Sequence, residues 1–364
     1  MNVVFAGGGT GGHLYPALAI ARALVRLDPS VRPFFVGAER GIEKQILPTT
    51  EFPFALFPLH PIYRTGVSRN WRGVRQTLGS WAALGRLMQA QRPAVVVGTG
   101  GYASGMALAW AIVHGVPTAQ SVADAIPGLT ARLTARWARA LYLGFAEAQG
   151  RIGGLAGTAV MLTGNPIDPP PTPRPDRASS RAQFGIEADP SIRVVLVFGG
   201  SQGSEAINSA VAEWLSRPLP PTLRVIWGVG TRHYDSLKNR ESDRVKVRAY
   251  LSPISDAYAA ADLAITRAGA MTCSELAAWG LPAILVPLPS AAADHQTGNA
   301  QALARAGAGK LLPQSDSLGK DLRKVVAALL ENQTTLTEMS KQARELGRAD
   351  SAQLIAKDIL TRFA

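Results

Sequence analysis

The chain is almost without cysteine, and several kinds of segment are missing from it. Cys273 is the single cysteine in 364 residues, which excludes an intrachain disulfide framework and an all-cysteine metal site. The longest apolar run, residues 103–113, is too short to span a bilayer, and no signal peptide is recognised. No spacing of His, Cys and Asp predicts a metal site. These absences predict a cytosolic protein without a metal or other cofactor.

Acidic residues are also missing from a long stretch of the first half. None lies between Glu51 and Asp124, whereas six arginines do. The whole chain carries a formal charge of +12, and residues 1–165 hold fifteen Lys or Arg against six Asp or Glu. A surface of one sign attracts partners of the other. The first half is therefore predicted to face phosphates or an anionic membrane, while nucleic acid is disfavoured because no DNA- or RNA-binding motif is recognised.

Short apolar segments alternate with helical patterns along the chain. Such runs, ending in glycine or a polar turn, are typical of parallel strands buried on both faces. The predicted strands are 3–6, 33–36, 54–58, 94–97, 118–122, 140–145, 159–163, 193–198, 223–227, 245–249, 263–266 and 283–286. The length favours two domains, and the pattern predicts doubly wound α/β folds that bind ligands at the carboxyl ends of their strands.

Composition places the predicted boundaries. Residues 1–166 form the first domain, a proline-rich linker covers 167–192, and 193–340 form the second domain. Residues 336–363 are helical in pattern, and the final segment, 341–364, is predicted to be a helix that either caps the second domain or crosses back to the first.

A glycine-rich loop with a histidine follows the first predicted strand. Residues 7–13 read GGGTGGH and run into a helical pattern, so backbone N–H groups and the helix dipole form an anion site. The loop lacks the Lys-Ser/Thr ending of a P-loop, and His13 stands where dinucleotide loops carry a small residue. His13 is a candidate general base or diphosphate-positioning group; the alternative is a tight turn with a capping histidine.

Two further glycine loops follow predicted strands. Residues 100–105, GGYASG, contain Gly101, Tyr102 and Ser104 and are interpreted as an acceptor or phosphate contact, or else as an ordinary turn. Residues 199–204, GGSQGS, open the second half. The hydroxyl of Ser201 is a candidate phosphate donor there, unless the loop only supplies Ser204 as a helix cap.

Polar clusters of the second half suit a sugar nucleotide. Glu275 is a candidate acceptor for two ribose hydroxyls, although Thr272 and Glu275 also fit a capping box. Cys273, between them, is predicted to be a small buried apolar residue. Residues 294–299, which include Gln296, suit sugar hydroxyls; the alternative is a polar surface loop.

Arginine and tryptophan are interleaved in residues 62–88. The predicted membrane-surface residues are Trp71, Arg72, Arg75 and Trp81. Apolar residues at helical spacing beside arginines predict an amphipathic element resting on an anionic bilayer. The alternative is a helix whose apolar side packs into the core and whose arginine-rich side faces solvent.

Taken in order, these motifs resemble the MurG family of N-acetylglucosaminyltransferases across nearly the whole chain. The resemblance rests on GGTGGH at 8–13, GGYASG at 100–105, TGNP at 163–166, GGSQG at 199–203, the segment from Arg267 to Glu275, and the His-Gln pair at 295–296. It implies a GT-B fold, in which two Rossmann-like domains face a central cleft. It also implies inverting transfer of GlcNAc from UDP-GlcNAc to lipid-linked MurNAc-pentapeptide in peptidoglycan synthesis, at the cytoplasmic face of the plasma membrane.

The resemblance also implies roles for individual residues. The donor-binding residues would be Thr10, Gly11, Gly12, Asp124, Ser201, Leu251, Ala270, Met271, Thr272, Cys273, Ser274, Glu275 and Gln296. The acceptor side would contain Gly8, Gly9, Gly101, Tyr102 and Ser104, with His13 as the candidate base and no metal. Asp124 stands where the family usually has Asn, and Asp168 stands where it often has Arg, so the contacts carried over to these two positions are in doubt.

Other functions compatible with the motifs stay open at this level. A related UDP-sugar enzyme, such as a diacylglycerol glycosyltransferase or a UDP-GlcNAc epimerase, is one alternative. A nicotinamide dehydrogenase is disfavoured, because the chain has two glycine loops, near residues 8 and 200, where such an enzyme has a single dinucleotide-binding fingerprint. Charge alone would also suit a non-enzymatic binder of membrane surfaces.

Overall fold

The structure, a computed structural model, divides into two compact units. It describes residues 1–59, 67–200 and 202–364, with the backbone alone over 67–78. Unit 1 comprises Met1–Asp168 together with Ala349–Ala364, and unit 2 comprises Pro169–Arg348. Each unit is built on its own parallel sheet, which confirms the predicted α/β class.

The strands of each unit pair only in parallel. They are β1 (Asn2–Gly7), β2 (Arg32–Ala38), β3 (Phe54–Phe57), β4 (Val95–Gly100), β5 (Thr118–Val122), β6 (Ala140–Leu143), β7 (Ala159–Leu162), β8 (Arg193–Phe198), β9 (Leu223–Gly228), β10 (Val245–Arg248), β11 (Leu263–Thr266), β12 (Ala283–Leu285) and β13 (Gly309–Leu311). The unit 1 sheet has the order β3-β2-β1-β4-β5-β6-β7, and the unit 2 sheet has the order β10-β9-β8-β11-β12-β13. Twelve of these strands match predicted segments, and β13 is an addition.

Helices connect the strands, as parallel pairing requires. They are α1 (Gly11–Leu27), α2 (Glu43–Ile46), α3 (Val67–Gln91), α4 (Gly101–Val113), α5 (Leu129–Thr134), α6 (Arg177–Gln183), α7 (Glu205–Trp214), α8 (Tyr234–Leu237), α9 (Ile254–Ala260), α10 (Ala270–Trp279), α11 (His295–Arg305), α12 (Leu318–Glu331), α13 (Gln333–Leu346) and α14 (Ser351–Phe363). None of the described helices is long and apolar enough to cross a membrane.

The core of unit 1 lies on both faces of its sheet. Val3 and Phe5 of β1 pack with α1 and with Ile359 of α14, whereas Val4 and Ala6 pack on the opposite face with α4 and the end of α3. Successive side chains of a strand point to opposite faces. The continuous apolar sequence of β1 is therefore the signature of a strand covered on both sides.

The last helical pattern of the chain is two helices instead of one. Residues 347–350 separate α13, in unit 2, from α14, in unit 1. The hydroxyl of Tyr142 on β6 donates to Oδ2 of Asp358 at 2.8 Å, and the hydroxyl of Ser351 donates to the carbonyl oxygen of Thr163 at 2.5 Å. These bonds and the apolar face of α14 attach the end of the chain to unit 1.

The second half of α3 packs into the core of unit 1. Leu84 and Met88 are buried, and Trp81 is half-buried against the same cluster. This is the core-packing alternative for this half of the helix, so Trp81 is not a free surface side chain. The side chains of Trp71, Arg72 and Arg75 lie outside the described residues.

Part of the segment interpreted as a linker is folded into unit 2. Helix α6 lies within it, and the guanidinium of Arg181 on that helix is buried. The group forms an ion pair of 3.0 Å with Asp262. Proline-rich composition ends before this helix, which begins after the capping side chain of Asp176.

Each sheet has a topological switch point. In unit 1 the chain builds outward from β1 to β3 and then resumes with β4 on the other side of β1. In unit 2 the chain does the same around β8, and resumes with β11. Doubly wound sheets bind ligands at the carboxyl ends of the strands that flank such a point. The loops after β1, β4, β8 and β11 therefore form the candidate sites.

Candidate active site

The loop after β1 offers backbone N–H groups at the start of α1. Thr10 is the N-cap of that 17-residue helix, and Thr10 and Gly12 are exposed. The N–H groups of the first helical turn lack an intrahelical acceptor, and the positive end of the helix dipole points the same way. Gly11 and Gly12, together with Thr10, are therefore the candidate anion site of unit 1.

Gly8 and Gly9 play a different part from the one expected of them. The N–H of Gly8 donates to the carbonyl of Gly100 at 3.3 Å, and the N–H of Gly9 donates to Oε1 of Glu43 at 2.9 Å. These two N–H groups hold the loop in shape, so neither donates to a ligand while the bonds exist. The N–H groups that could bind an anion are consequently the ones further along the loop.

His13 is held in one orientation by backbone on two sides. Its Nδ1 lies 3.0 Å from the carbonyl oxygen of Gly8 and 3.3 Å from Oγ1 of Thr10. A Cβ on Gly100 would lie 2.9 Å from Nε2, and Gly100 has φ +110, so glycine lets the backbone approach the ring closely. A carbonyl only accepts, which puts a proton on Nδ1; in the neutral ring the lone pair is then on Nε2. This is the tautomer that a base acting through Nε2 needs.

The loop after β4 adjoins the His13 loop. The ring of Tyr102 lies over Gly9, since a Cβ there would be 3.2 Å from Cε1 of Tyr102. Gly101 has φ +78, and a Cβ on it would be 3.1 Å from Nδ1 of His13. Ser104 is buried and donates to the carbonyl of Gly101 at 3.0 Å. Gly101 and Tyr102 thus join the site, whereas the hydroxyl of Ser104 stabilises the first turn of α4.

The two acidic residues at unusual positions have different surroundings. Asp124 follows β5, next to β4 in the sheet, and is half-buried. Asp168 is exposed, and its charge acts on Arg22, whose pKa is raised mainly by the hydrogen bond to Glu51 and to a smaller extent by the two carboxylates. Asp124 is therefore the acidic residue that lies at the carboxyl edge of the sheet.

The loop after β8 repeats the strand, glycine loop and helix arrangement. Gly200 and Gly203 have φ +89 and +79, values that favour glycine. The hydroxyl of Ser204 caps α7 by accepting from the N–H of Ile207 at 3.4 Å. The capping interpretation of Ser204 is thus confirmed, while Ser201 lies outside the described residues.

Helix α10 begins earlier than a capping box at Thr272 requires. Gly269 is its N-cap, and Ala270, Met271 and Thr272 form its first turn. Thr272 is therefore not a cap, and the capping-box interpretation of Thr272 and Glu275 is wrong. The first-turn N–H groups point to the carboxyl edge of the sheet and are a second candidate anion site. Cys273 is buried, as predicted.

Glu275 lies one turn further along α10 and is fixed by a tyrosine. The hydroxyl of Tyr258 donates to Oε2 of Glu275 at 2.7 Å. Glu275 and Ser274 are half-buried. A partly accessible carboxylate beside a candidate anion site can accept hydrogen bonds from ribose hydroxyls.

The polar segment after β12 runs into helix α11, and its side chains make specific hydrogen bonds. Oε1 of Gln296 accepts from the N–H of Leu288 at 3.0 Å, which leaves its amide NH₂ as the donor end. The amide of Asn299 is buried and donates to the carbonyl of Ala268 at 3.1 Å. This bond attaches α11 to the loop before α10, so Gln296 and the second anion site belong to one framework.

Leu251 follows β10 at the same edge. Its side chain is buried over Gly228, where a Cβ would lie 2.9 Å from Cδ1. Within the described residues, no group of three or more His, Cys, Asp and Glu side chains could hold a metal ion.

Comparisons with known proteins agree with this geometry. Residues 3–143 match the Glycosyltransferase family 28 N-terminal domain, and residues 194–357 match the Glycosyltransferase family 28 C-terminal domain. The UDP-N-acetylglucosamine–N-acetylmuramyl-(pentapeptide) pyrophosphoryl-undecaprenol N-acetylglucosamine transferase of Salinibacter ruber is 39% identical over 99% of this chain and 96% of its own length. The transferase of the same name from Chlorobium limicola is 36% identical over 99% of both.

A solved structure extends the likeness to three dimensions. The crystal structure of Acinetobacter baumannii MurG has a TM-score of 0.79 and 26% identity, with 99% of each chain covered. The GT-B fold predicted from the motifs is thereby confirmed for the two units. This chain belongs to glycosyltransferase family 28, and within it to the MurG family of N-acetylglucosaminyltransferases.

Proposed function

We propose that this protein transfers GlcNAc from UDP-GlcNAc to undecaprenyl-pyrophosphoryl-MurNAc-pentapeptide, a step of peptidoglycan synthesis. This is the reaction for which its relatives are named. The observation that carries the proposal is that each unit has a helix N-terminus at the switch point of its sheet, after β1 and after β11. Both substrates of this reaction contain a diphosphate. Two anion sites in one chain match two diphosphates.

Unit 2 is proposed to hold the donor. The N–H groups of residues 270–272 would receive the diphosphate with the hydroxyl of Ser201, and the carboxylate of Glu275 would accept from the ribose hydroxyls. The backbone of Leu251 would contact uracil, and the NH₂ of Gln296 would donate to a GlcNAc hydroxyl. The fixed orientation of Gln296, set by the N–H of Leu288, supports this assignment, since a donor end held in place binds at lower entropic cost.

Unit 1 is proposed to hold the acceptor and the base. A single displacement inverts the anomeric carbon: the acceptor oxygen forms its bond as the bond to the UDP oxygen breaks, and UDP leaves with the electron pair. The hydroxyl proton passes to Nε2 of His13, which holds the lone pair because Nδ1 donates to Gly8. First-turn N–H groups and a helix dipole stabilise the charge on the leaving UDP. The N–H groups of Gly11 and Gly12, with the hydroxyl of Thr10, would receive the acceptor diphosphate. The carboxylate of Asp124 has the same sign of charge as a phosphate and is assigned no phosphate contact.

The protein is further proposed to act as a peripheral protein at the cytoplasmic face of the plasma membrane. Support comes from an exposed patch that begins on α5, which we call the α5 patch: Leu129, Leu133 and Trp137 with Arg132 and Arg136. The three apolar side chains are 42%, 59% and 49% exposed. The guanidinium of Arg136 lies 4.0 Å from the ring centre of Trp137. Aromatic and arginine side chains together suit an anionic membrane surface.

The test is transfer of labelled GlcNAc from UDP-GlcNAc into a lipid-linked MurNAc-pentapeptide acceptor. Wild-type protein should form product that depends on the acceptor, and His13→Ala should lose at least about a hundredfold in kcat while it still binds UDP. Formation of UDP-ManNAc without acceptor would indicate an epimerase, and transfer to diacylglycerol would indicate a different acceptor. Folded protein that binds UDP but transfers nothing to the muramyl acceptor would overturn the proposal.

A further inference from the structure

A buried carboxylate lies beneath the glycine loop of unit 1. Glu43, the first residue of α2, is 0% exposed. Its Oε1 accepts from the N–H of Gly9 at 2.9 Å and from the N–H of Ala38 at 3.2 Å. Oε2 is buried and has no hydrogen-bond partner among the described residues. A buried carboxylate with one unpaired oxygen is costly, and it therefore calls for an explanation beyond local packing.

Glycines make the space for this carboxylate. A Cβ on Gly8 would overlap Oε1 of Glu43, a Cβ on Gly41 would overlap Oε2, and a Cβ on Gly37 would lie 3.0 Å from Cγ. Three glycines, one at the end of β2, one just after it and one in the loop after β1, thus surround one side chain. Gly8 serves the close approach of Glu43, which explains one of the glycines of the loop without a ligand.

The Gly8–Gly9 peptide unit connects Glu43 to His13. Its N–H, on Gly9, donates to Oε1 of Glu43 at 2.9 Å. Its carbonyl, on Gly8, lies 3.0 Å from Nδ1 of His13. The two ends of one amide group are therefore bonded to a carboxylate on one side and to an imidazole on the other. Hydrogen bonds in such a chain strengthen one another, because each polarises the next.

We propose that Glu43 is a positioning residue that acts on His13 through the Gly8–Gly9 peptide. This inference rests on the proposed function, in which Nε2 of His13 takes the proton of the acceptor hydroxyl. The negative charge at the N–H end of the amide makes the Gly8 carbonyl a stronger acceptor. That carbonyl keeps the Nδ1 proton in place and stabilises the imidazolium that forms when Nε2 is protonated, as the carboxylate partner of a histidine base does directly.

Among the contacts that the structure describes, few other titratable side chains lie near the glycine loop of unit 1. Tyr102 of α4 lies over Gly9, and Tyr15 of α1 lies over Gly11. Both are tyrosines, which are neutral at the pH where a histidine titrates. Glu43 is thus the charged side chain that these contacts bring to the peptide held by His13.

The decisive variant is Glu43→Gln, which keeps an acceptor oxygen and the shape but removes the charge. We expect kcat to fall about tenfold, with an unchanged Kd for UDP. The acidic limb of the kcat–pH profile should move about half a unit to lower pH, because the imidazolium loses a favourable charge. Glu39→Gln is the matched control: it removes the same charge from an exposed side chain four residues away, and it should change neither kcat nor the profile.

A second measurement does not depend on how the variant folds. In wild-type protein with labelled histidine, the nitrogen chemical shifts of His13 should show the proton on Nδ1. A proton on Nε2 in the neutral ring would overturn the inference, and so would an acidic limb unmoved by Glu43→Gln. These outcomes differ from failure of the proposed function, which would appear as a wild-type protein without transfer activity or as a His13→Ala variant with full activity.

Discussion

The hydroxyl of Tyr258 donates a 2.7 Å hydrogen bond to Oε2 of Glu275. Tyr258 is buried, and its ring lies 6.1 Å from that of Phe198 and 5.6 Å from that of Trp279. Burial first, and then the charge and hydrogen bond of Glu275, raise the pKa of Tyr258 well above its ordinary value. The tyrosine consequently stays protonated at neutral pH and remains a donor that holds the Glu275 carboxylate in one orientation.

We predict that Tyr258→Phe weakens binding of UDP about tenfold. A hydrogen bond to a charged group contributes about 1.5 kcal/mol or more, and its loss frees a carboxylate that must meet two ribose hydroxyls. Isothermal titration with UDP gives the Kd directly. Because the phenyl ring fills the same space, the aromatic cluster is preserved and the folded state should survive.

The control for this substitution is Tyr234→Phe. Tyr234 is half-buried against the core of the same unit, so the change of chemistry is matched. An equal loss of UDP affinity in both variants, or none in Tyr258→Phe, would contradict the positioning of Glu275 by Tyr258.

We predict that Gln296→Ala separates recognition of the sugar from recognition of the nucleotide. Its NH₂ is the end proposed to meet GlcNAc, since Oε1 accepts from the backbone N–H of Leu288. KM for UDP-GlcNAc should rise about tenfold, which is the loss of roughly one hydrogen bond, whereas Kd for UDP should stay at its wild-type value. A parallel rise in Kd for UDP would show instead that the substitution disturbs the loop before α10, which Asn299 holds through the carbonyl of Ala268.

The sequence was sufficient to locate the strand, glycine turn and helix start of each candidate anion site, but not the hydrogen bonds inside it. Glycine after a short apolar strand and before a helical pattern identifies such a site, as in residues 7–13, because strand, turn and helix start each have a local signature. Glu43 has no such signature: a single glutamate in a polar segment is read as exposed. Its burial depends on the neighbouring Gly37 and Gly41 and also on Gly8, which is distant in sequence and reaches Glu43 only in the folded sheet.

The predicted boundaries of helices and strands were wrong where two local sequence signals compete. Thr272 and Glu275 fit a capping box, yet Gly269 is the N-cap of α10, because the helix starts directly after the loop from β11. Strand β13 has three residues, which are too few for an apolar or alternating pattern to be recognised. Its place in the sheet depends on pairing with β12, a contact that composition does not report.

We predict that the α5 patch binds anionic membranes. The double variant Leu133→Ser with Trp137→Ser should reduce association with phosphatidylglycerol vesicles at least tenfold in a sedimentation assay, because each buried apolar side chain contributes about 1.5–3 kcal/mol. Association of wild-type protein should also weaken with added salt, since the arginines of the patch interact with charged head groups.

Leu346→Ser is the control for the patch. Leu346 is 41% exposed and lies in unit 2, so its substitution removes an exposed apolar side chain that is not part of the patch. Equal binding of the double variant and wild-type protein to the vesicles would contradict the assignment, and a water-soluble acceptor analogue should be turned over equally by both.

The attachment of α14 to unit 1 should make stability depend on pH through Asp358. Burial raises the pKa of this carboxyl, but hydrogen bonds from Arg362 and Tyr142 outweigh it and hold the pKa below the ordinary value of 3.8. A group whose pKa is lowered by folding stabilises the folded state above its unfolded pKa, and the contribution is lost as the pH falls through the folded value.

Asp358→Asn should therefore lower the free energy of unfolding at pH 7 by about 1–2 kcal/mol, measured by urea denaturation. The difference from wild type should shrink as the pH falls below 3.8 and should disappear only below the lower folded pKa, where the wild-type carboxyl is protonated as well. Glu39→Gln, an exposed change in the same unit, should leave the unfolding free energy within about 0.5 kcal/mol of wild type at both pH values. A deficit of Asp358→Asn that persists unchanged in acid would mean that the asparagine disturbs packing of α14 and that the carboxylate charge is not what stabilises this attachment.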